Sequence, residues 1–167
     1  MKLPVCLIDV QTNTLCRKCK QLYQEGKIND SDMELSKILV NLSKGNKAIK
    51  DIAFYSSVEL DDVIILVTRR QDVPILSQPE VMDSISKYAH KEVRFLEKTN
   101  DPRRLVESLI NPIPVTNVST LYIPPFSDKE YKIEIDQKYR EELPIPENVI
   151  IQTVKSVLNT EAHIEFT

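Results

Sequence analysis

Hydrophobic positions in the first half of the chain alternate between helical spacing and strand-like runs. After the capping cluster at 29–32, apolar side chains recur every three or four residues, as on the buried face of a helix. The β-branched and aromatic runs on either side of Asp61 and Asp62 are typical of two strands joined by a tight turn. The pattern predicts, in order, a helix at about 30–43, strands at 52–60 and 63–68, a helix at 79–90 and a strand at 92–97.

The second half of the chain repeats this order. A short helix opens at Asp101-Pro102 and ends at Asn111-Pro112, because proline suits a first helical turn and disfavours the helical conformation in the residue before it. The predicted elements are a helix at about 101–110, strands at 115–123 and 129–136, a helix at 146–158 and a strand at 163–166. We interpret the repeated element order as duplication of one unit. Because the halves share little residue identity, a chance coincidence is the alternative.

Composition places the chain among soluble globular proteins. Hydrophobic residues make up 41% of the 167 residues and charged residues 28%, which is enough apolar material for one core or two small ones. No window approaches eighteen consecutive apolar residues, and the N-terminus lacks the features of a secretory signal. We therefore expect a cytoplasmic protein with no membrane partner.

Charge and glycine content exclude several function classes. The formal net charge of −3 argues against binding nucleic acid by bulk electrostatics, so any such binding must be local. Only two glycines are present, which excludes glycine-rich phosphate loops of the P-loop and Rossmann types. No serine or cysteine stands out as a partner for either histidine, and the paired carboxylates fall in predicted turns or loops, so we predict no catalytic residues and no enzyme.

The cysteines indicate a metal site in the N-terminal segment. All three lie within the first nineteen residues, and an odd number fits a disulfide framework poorly. Cys16 and Cys19 form a C-x2-C knuckle, Cys6 is a third thiolate, and Asp9 follows Cys6 at the same x2 spacing. The predicted ligands of a structural Zn²⁺ are therefore Cys6, Asp9, Cys16 and Cys19.

The fourth ligand has alternatives. Water, or His90 or His163 brought close by folding, could take the place of the carboxylate, although neither histidine has ligand-like spacing. The neighbouring Arg17, Lys18 and Lys20 would favour thiolates by charge, and they could equally contact phosphate. Three reduced cysteines without any metal are the simplest alternative.

The N-terminal segment and the repeated unit together resemble a known family. The motifs that carry the resemblance are Pro4-Val5-Cys6 with Asp9, and Leu15-Cys16-Arg17-Lys18-Cys19, followed by two helix, hairpin, helix and strand units. They resemble archaeal NusA-like proteins with tandem type II KH domains and an N-terminal zinc-knuckle-like segment. The resemblance implies an α+β fold, with a cysteine segment at 1–28 and KH-like domains at 29–99 and 100–167. It also implies single-stranded RNA binding in transcription elongation or termination, with RNA polymerase or a ribonucleoprotein as partner.

The chain departs from the family in the loop that grips RNA. A KH domain clamps about four nucleotides with a GXXG loop, but the corresponding segments at 69–78 and 137–145 contain no glycine. If RNA binding survives, cationic and aromatic side chains near these loops must carry it. The candidates are Arg69, Arg70, Lys138, Tyr139 and Arg140, although each could instead be an ordinary surface residue.

Loss of the clamp leaves a second hypothesis of a different class. The chain could be a protein-interaction module that docks on RNA polymerase or a ribonucleoprotein through a KH scaffold without strong RNA binding. Salt-dependent RNA titration separates the two hypotheses, because phosphate contacts weaken as salt rises.

Overall fold

Helices flank a strand pair in each half of the chain. The structure is a computed structural model that describes residues 1–126 and 128–167. The chain divides into two units, Met1–Lys98 and Thr99–Thr167. Each unit contains its own three-stranded sheet. The expected α+β class is therefore confirmed. In the part of the chain that the structure describes, no helix combines the length and apolar character needed to cross a bilayer.

The first unit contains five helices and three strands within its described elements. They are α1 Leu7–Thr12, α2 Arg17–Gln24, α3 Asp30–Ser43, β1 Phe54–Glu59, β2 Val63–Thr68, α4 Val73–Leu76, α5 Pro79–Ala89 and β3 Glu92–Glu97. Helix α3 starts where the sequence predicts, because Asn29 and Asp32 form a reciprocal capping box. Short 3-10 turns at Lys47–Asp51 and Arg70–Asp72 precede β1 and α4.

The sheet of the first unit is ordered β1-β2-β3. Strand β1 runs antiparallel to β2, with Glu59 opposite Ile64, whereas β3 runs parallel to β2, with Glu92 opposite Val63. Helices α3 and α5 pack on the core of this unit, which is formed by residues including Leu35, Leu39, Phe54, Ile64, Leu66 and Ile85. All six residues of the central strand β2 are buried, which explains its continuous apolar sequence.

The N-terminal segment has a small core of its own and belongs to the first unit. Val5, Val10, Cys19 and Ile28 are buried together, with partly buried side chains from α3 packed against them. The backbone of Lys2 pairs with the chain entering β1 through two hydrogen bonds, at 2.9 and 2.8 Å. The segment is thereby attached to the sheet and to α3.

The second unit contains two helices and three strands among its described elements. They are α6 Pro102–Ile110, β4 Asn117–Ile123, β5 Asp128–Ile135, α7 Glu147–Leu158 and β6 Glu161–Phe166, with a 3-10 segment at Gln137–Glu142 before α7. The sheet is ordered β4-β5-β6, with the first pair antiparallel and the second parallel. Both units thus share a helix, strand, strand, helix, strand order and one sheet topology.

The differences from the predicted elements lie in short helical pieces and in the ends of strands. Helices α1, α2 and α4 were not expected, and the predicted loops at 69–78 and 137–145 contain 3-10 turns. Each piece is only one or two turns long, so it shows no hydrophobic period that a sequence pattern can detect. Strand β6 begins at Glu161, two residues before the predicted 163–166.

Candidate metal centre

Two helix N-termini build the cluster of potential metal ligands. Cys6 is the N-cap of α1 and Asp9 is its third helical residue, and Cys16 and Cys19 hold the same positions in α2. An N-cap side chain and the third helical side chain lie on the same side of the first turn, which is why a capping box forms at this spacing. The Cys-x2-Asp and Cys-x2-Cys motifs therefore present two donor pairs.

The fold brings these four donors to one place. The Sγ atoms of Cys6, Cys16 and Cys19 and one carboxylate oxygen of Asp9 all lie within 4.8 Å of one another. Backbone groups support the arrangement, because the Cys16 N–H donates to Asp9 Oδ2 at 3.0 Å and the Cys6 N–H donates to Cys19 Sγ at 3.5 Å. Cys19 and Asp9 are buried, whereas Cys6 and Cys16 are exposed.

The donor set and its spacing suit a tetrahedral ion. Three sulfur donors and one carboxylate oxygen are ligands that Zn²⁺ accepts, and Zn–S bonds of about 2.3 Å place tetrahedral sulfur atoms about 3.8 Å apart. The ligand atoms here are separated by up to 4.8 Å, so closing on an ion requires these separations to shrink by at most about 1 Å. The four residues could therefore hold a metal after small side-chain adjustments.

The electrostatics of the cluster link Asp9 to Cys19. Hydrogen bonds from the Cys19 thiol and the Cys16 N–H lower the pKa of Asp9 below its ordinary value. Burial, followed by the hydrogen bond to Asp9, raises the pKa of Cys19 to about 12. Without a metal, the buried Cys19 thiol thus keeps its proton and donates a hydrogen bond to the Asp9 carboxylate, and a bound cation would have to displace that proton.

Neither histidine belongs to the cluster. His90 is the exposed left-handed residue that ends α5, with φ of 53°. His163 is exposed on β6, where its Nδ1 lies 3.9 Å from Glu130 Oε2. Among the described residues, the group that could hold a metal contains only cysteines and Asp9.

In the first unit the two candidate arginines have different surroundings. The Arg69 guanidinium is engaged by the buried carboxylate of Asp72 and by the backbone carbonyl of Asp51. Arg70 is exposed, and its side chain pairs with no carboxylate in residues 1–126 and 128–167. The pairing of Arg69 was missed from the sequence, although an acid three residues after an arginine is a usable signal for such a contact.

In the second unit the candidates gather around the 3-10 segment Gln137–Glu142. Lys138 lies over the Tyr139 ring at 4.9 Å, and Arg140 lies over the Phe166 ring at 5.2 Å from guanidinium carbon to ring centroid. Arg140 and Phe166 also line a shallow groove of about 310 Å³ with the proline-rich turn before α7. Cationic and aromatic groups are therefore adjacent here, and Phe166 is the member that was missed from the sequence.

Comparisons with known proteins support only the fold. No family model and no curated protein matches this chain. The crystal structure of APE1850 is similar, with a TM-score of 0.59 and 10% sequence identity, and the match covers 80% of this chain and 99% of that one. At this identity the likeness concerns the fold alone.

Proposed function

We propose that this chain is an RNA-binding protein of the NusA-like type, acting in transcription elongation or termination, with two KH-like units and a structural Zn²⁺. The observation that supports it most is the repeat of one element order and one sheet topology in both units. The donor set of Cys6, Asp9, Cys16 and Cys19 supports the zinc assignment.

The backbone around the expected clamp explains why phosphate binding would be weaker than in a GXXG domain. In the first unit the two helices after the strand pair, α4 and α5, are separated only by Ser77 and Gln78. The Ser77 N–H donates to the Val73 carbonyl at 2.9 Å and the Gln78 N–H donates to the Ile75 carbonyl at 3.4 Å. Since Pro79 has no N–H, the three residues 77–79 leave no spare backbone donor for a phosphate.

Side-chain cations must then carry phosphate contacts near these turns. The exposed cations here are Arg70, Lys138 and Arg140. Arg69 is instead paired with the carboxylate of Asp72. These three exposed cations lie on a chain of net charge −3, so the predicted affinity for RNA is modest and decreases as the salt concentration rises. We therefore expect local and salt-sensitive binding of single-stranded RNA.

A second candidate function rests on an exposed apolar hairpin end in the second unit. Leu121, Tyr122, Ile123 and Phe126 are all exposed, and Phe126 is 82% accessible. Clustered exposed apolar side chains commonly mark protein interaction sites. This observation favours a module that docks on RNA polymerase or a ribonucleoprotein without strong RNA binding.

Titration of labelled single-stranded RNA at low and physiological salt tests the first function. We expect binding that weakens as salt rises, because phosphate contacts release counterions. Absence of salt-dependent binding would rule out the RNA-binding function and favour the docking module. Metal analysis of purified protein tests zinc independently, with one ion per chain expected.

A further inference from the structure

The two pairs of metal ligands each enclose a dipeptide of distinct chemistry. Between Cys6 and Asp9 stand Leu7 and Ile8, which are 51% and 71% exposed. Between Cys16 and Cys19 stand Arg17 and Lys18, which are also exposed. Because the four ligand atoms lie within 4.8 Å of one another, the apolar and the cationic dipeptide border the same centre.

The cations at this centre are available for an external partner. Arg17, Lys18 and Lys20 are exposed, and none of them forms an ion pair within the described ranges 1–126 and 128–167. Residues 1–28 contain five Lys or Arg and two Asp or Glu, although the whole chain has a net charge of −3. Three thiolates and one divalent ion together add a single negative charge, so the segment stays cationic when a metal is bound.

We propose that Leu7, Ile8, Arg17, Lys18 and Lys20 form a binding surface, the knuckle surface, for single-stranded RNA. Arg17, Lys18 and Lys20 contact phosphates, and Leu7 and Ile8 pack against the faces of unstacked bases. This inference rests on the proposed RNA-binding function and assigns its main contact to the N-terminal segment instead of the glycine-free turns.

The chemistry of the knuckle surface favours a short single strand over other polyanions. Duplex nucleic acid hides its base faces in the stack, so it offers nothing to Leu7 and Ile8. An acidic peptide could satisfy the three cations but not the exposed apolar pair. A single strand of a few nucleotides offers both phosphates and base faces.

The test compares full-length variants in titrations with labelled oligouridylate at several salt concentrations. The knuckle variant is R17A/K18A/K20A, and the matched control is K47A/K50A/K87A, which removes the same charge from exposed lysines elsewhere. We expect about tenfold or greater loss of affinity at low salt for the knuckle variant, and a salt slope smaller in magnitude by about 2, since each phosphate contact on a single strand contributes about 0.7. The control should lose distinctly less.

An apolar variant separates base contact from charge. Ile8→Ser should weaken binding several-fold while leaving the salt slope and the metal content unchanged, because Ile8 is exposed and supplies no charge. An acidic peptide of equal charge should bind more weakly than the oligonucleotide. Equal binding of the peptide, or no effect of Ile8→Ser, contradicts the base contact.

A third variant distinguishes failure of this inference from failure of the proposed function. If R70A/K138A/R140A loses RNA affinity while the knuckle variant keeps it, the knuckle surface is wrong and RNA binding itself stands. If the unmodified protein shows no salt-dependent RNA binding, both fail. Equal metal content in the variants confirms that the N-terminal segment remains folded.

Discussion

The guanidinium of Arg69 holds the carboxylate of Asp72 through two hydrogen bonds, 2.6 Å from Nε to Oδ2 and 3.0 Å from Nη2 to Oδ1. The same Oδ2 accepts the N–H of Ala53 at 2.9 Å. This contact joins the turn after β2 to the chain that enters β1. Arg69 therefore has a structural role that is independent of any contact with RNA.

Replacing Asp72 should destabilise the first unit. Asp72→Ala leaves the Ala53 N–H without its acceptor and Arg69 without its carboxylate partner, so we expect a loss of about 2 kcal/mol or more in the free energy of unfolding. Urea unfolding measures this. Asp61→Ala, in an exposed turn, is the control and should change the value by less than about 0.5 kcal/mol. Equal losses in both variants would contradict the assigned role.

Asp72 should also make stability depend on acidity. Burial raises the pKa of this carboxyl, but the Arg69 guanidinium and the Ala53 N–H outweigh it, and the net pKa lies below the ordinary 3.8. Because the pKa of Asp72 is lower in the folded than in the unfolded protein, its ionised carboxylate contributes fully to stability above about pH 4. This contribution is lost as the pH falls through the folded pKa. Unfolding measured from pH 7 to pH 2.5 should show a shallower acid decline in Asp72→Asn than in the unmodified protein.

Asp32 is a second buried carboxylate on which the first unit depends. Its Oδ1 accepts the N–H and the hydroxyl of Ser57, each at 2.7 Å, and its Oδ2 accepts the N–H of Asn29 at 3.0 Å. Asp32→Ala removes half of the capping box and a link from α3 to β1, so we expect about 2 to 4 kcal/mol of destabilisation. Glu34→Ala on the same helix, where the side chain is partly exposed, should leave the unfolding midpoint nearly unchanged.

Long periodic elements were predictable from the sequence, whereas short ones were not. The predicted limits of α3 and β2 agree with the structure because a capping cluster marks one and a continuous buried run marks the other. Helix α4 is four residues long, and one turn contains too few positions to display a period. The glycine-free turn was visible in the sequence, but the internal use of its N–H groups was not.

The grouping of the metal ligands followed from spacing, while their surroundings required coordinates. Two x2 motifs indicated two donor pairs, and the structure brings all four donors within 4.8 Å. The sequence did not reveal that each motif is the start of a helix, although Asn29 and Asp32 show the same spacing and were recognised as a cap. Side-chain burial at Cys19 depends on packing against distant residues, which local patterns do not encode.

Metal binding should release protons and strengthen as pH rises. Burial, together with the hydrogen bond to Asp9, raises the pKa of Cys19 to about 12, so this thiol is protonated at neutral pH and must lose its proton to bind an ion. Apparent Zn²⁺ affinity should therefore increase about tenfold per pH unit for each proton released. Calorimetric titration in buffers of different ionisation enthalpy counts the protons.

Substitutions test which residues coordinate the ion. Cys19→Ser should abolish tight binding and Asp9→Asn should weaken it. Glu25→Gln, which changes an exposed carboxylate in the same segment, should bind Zn²⁺ normally. Affinity independent of pH, or equal effects of all three substitutions, would contradict coordination by these residues.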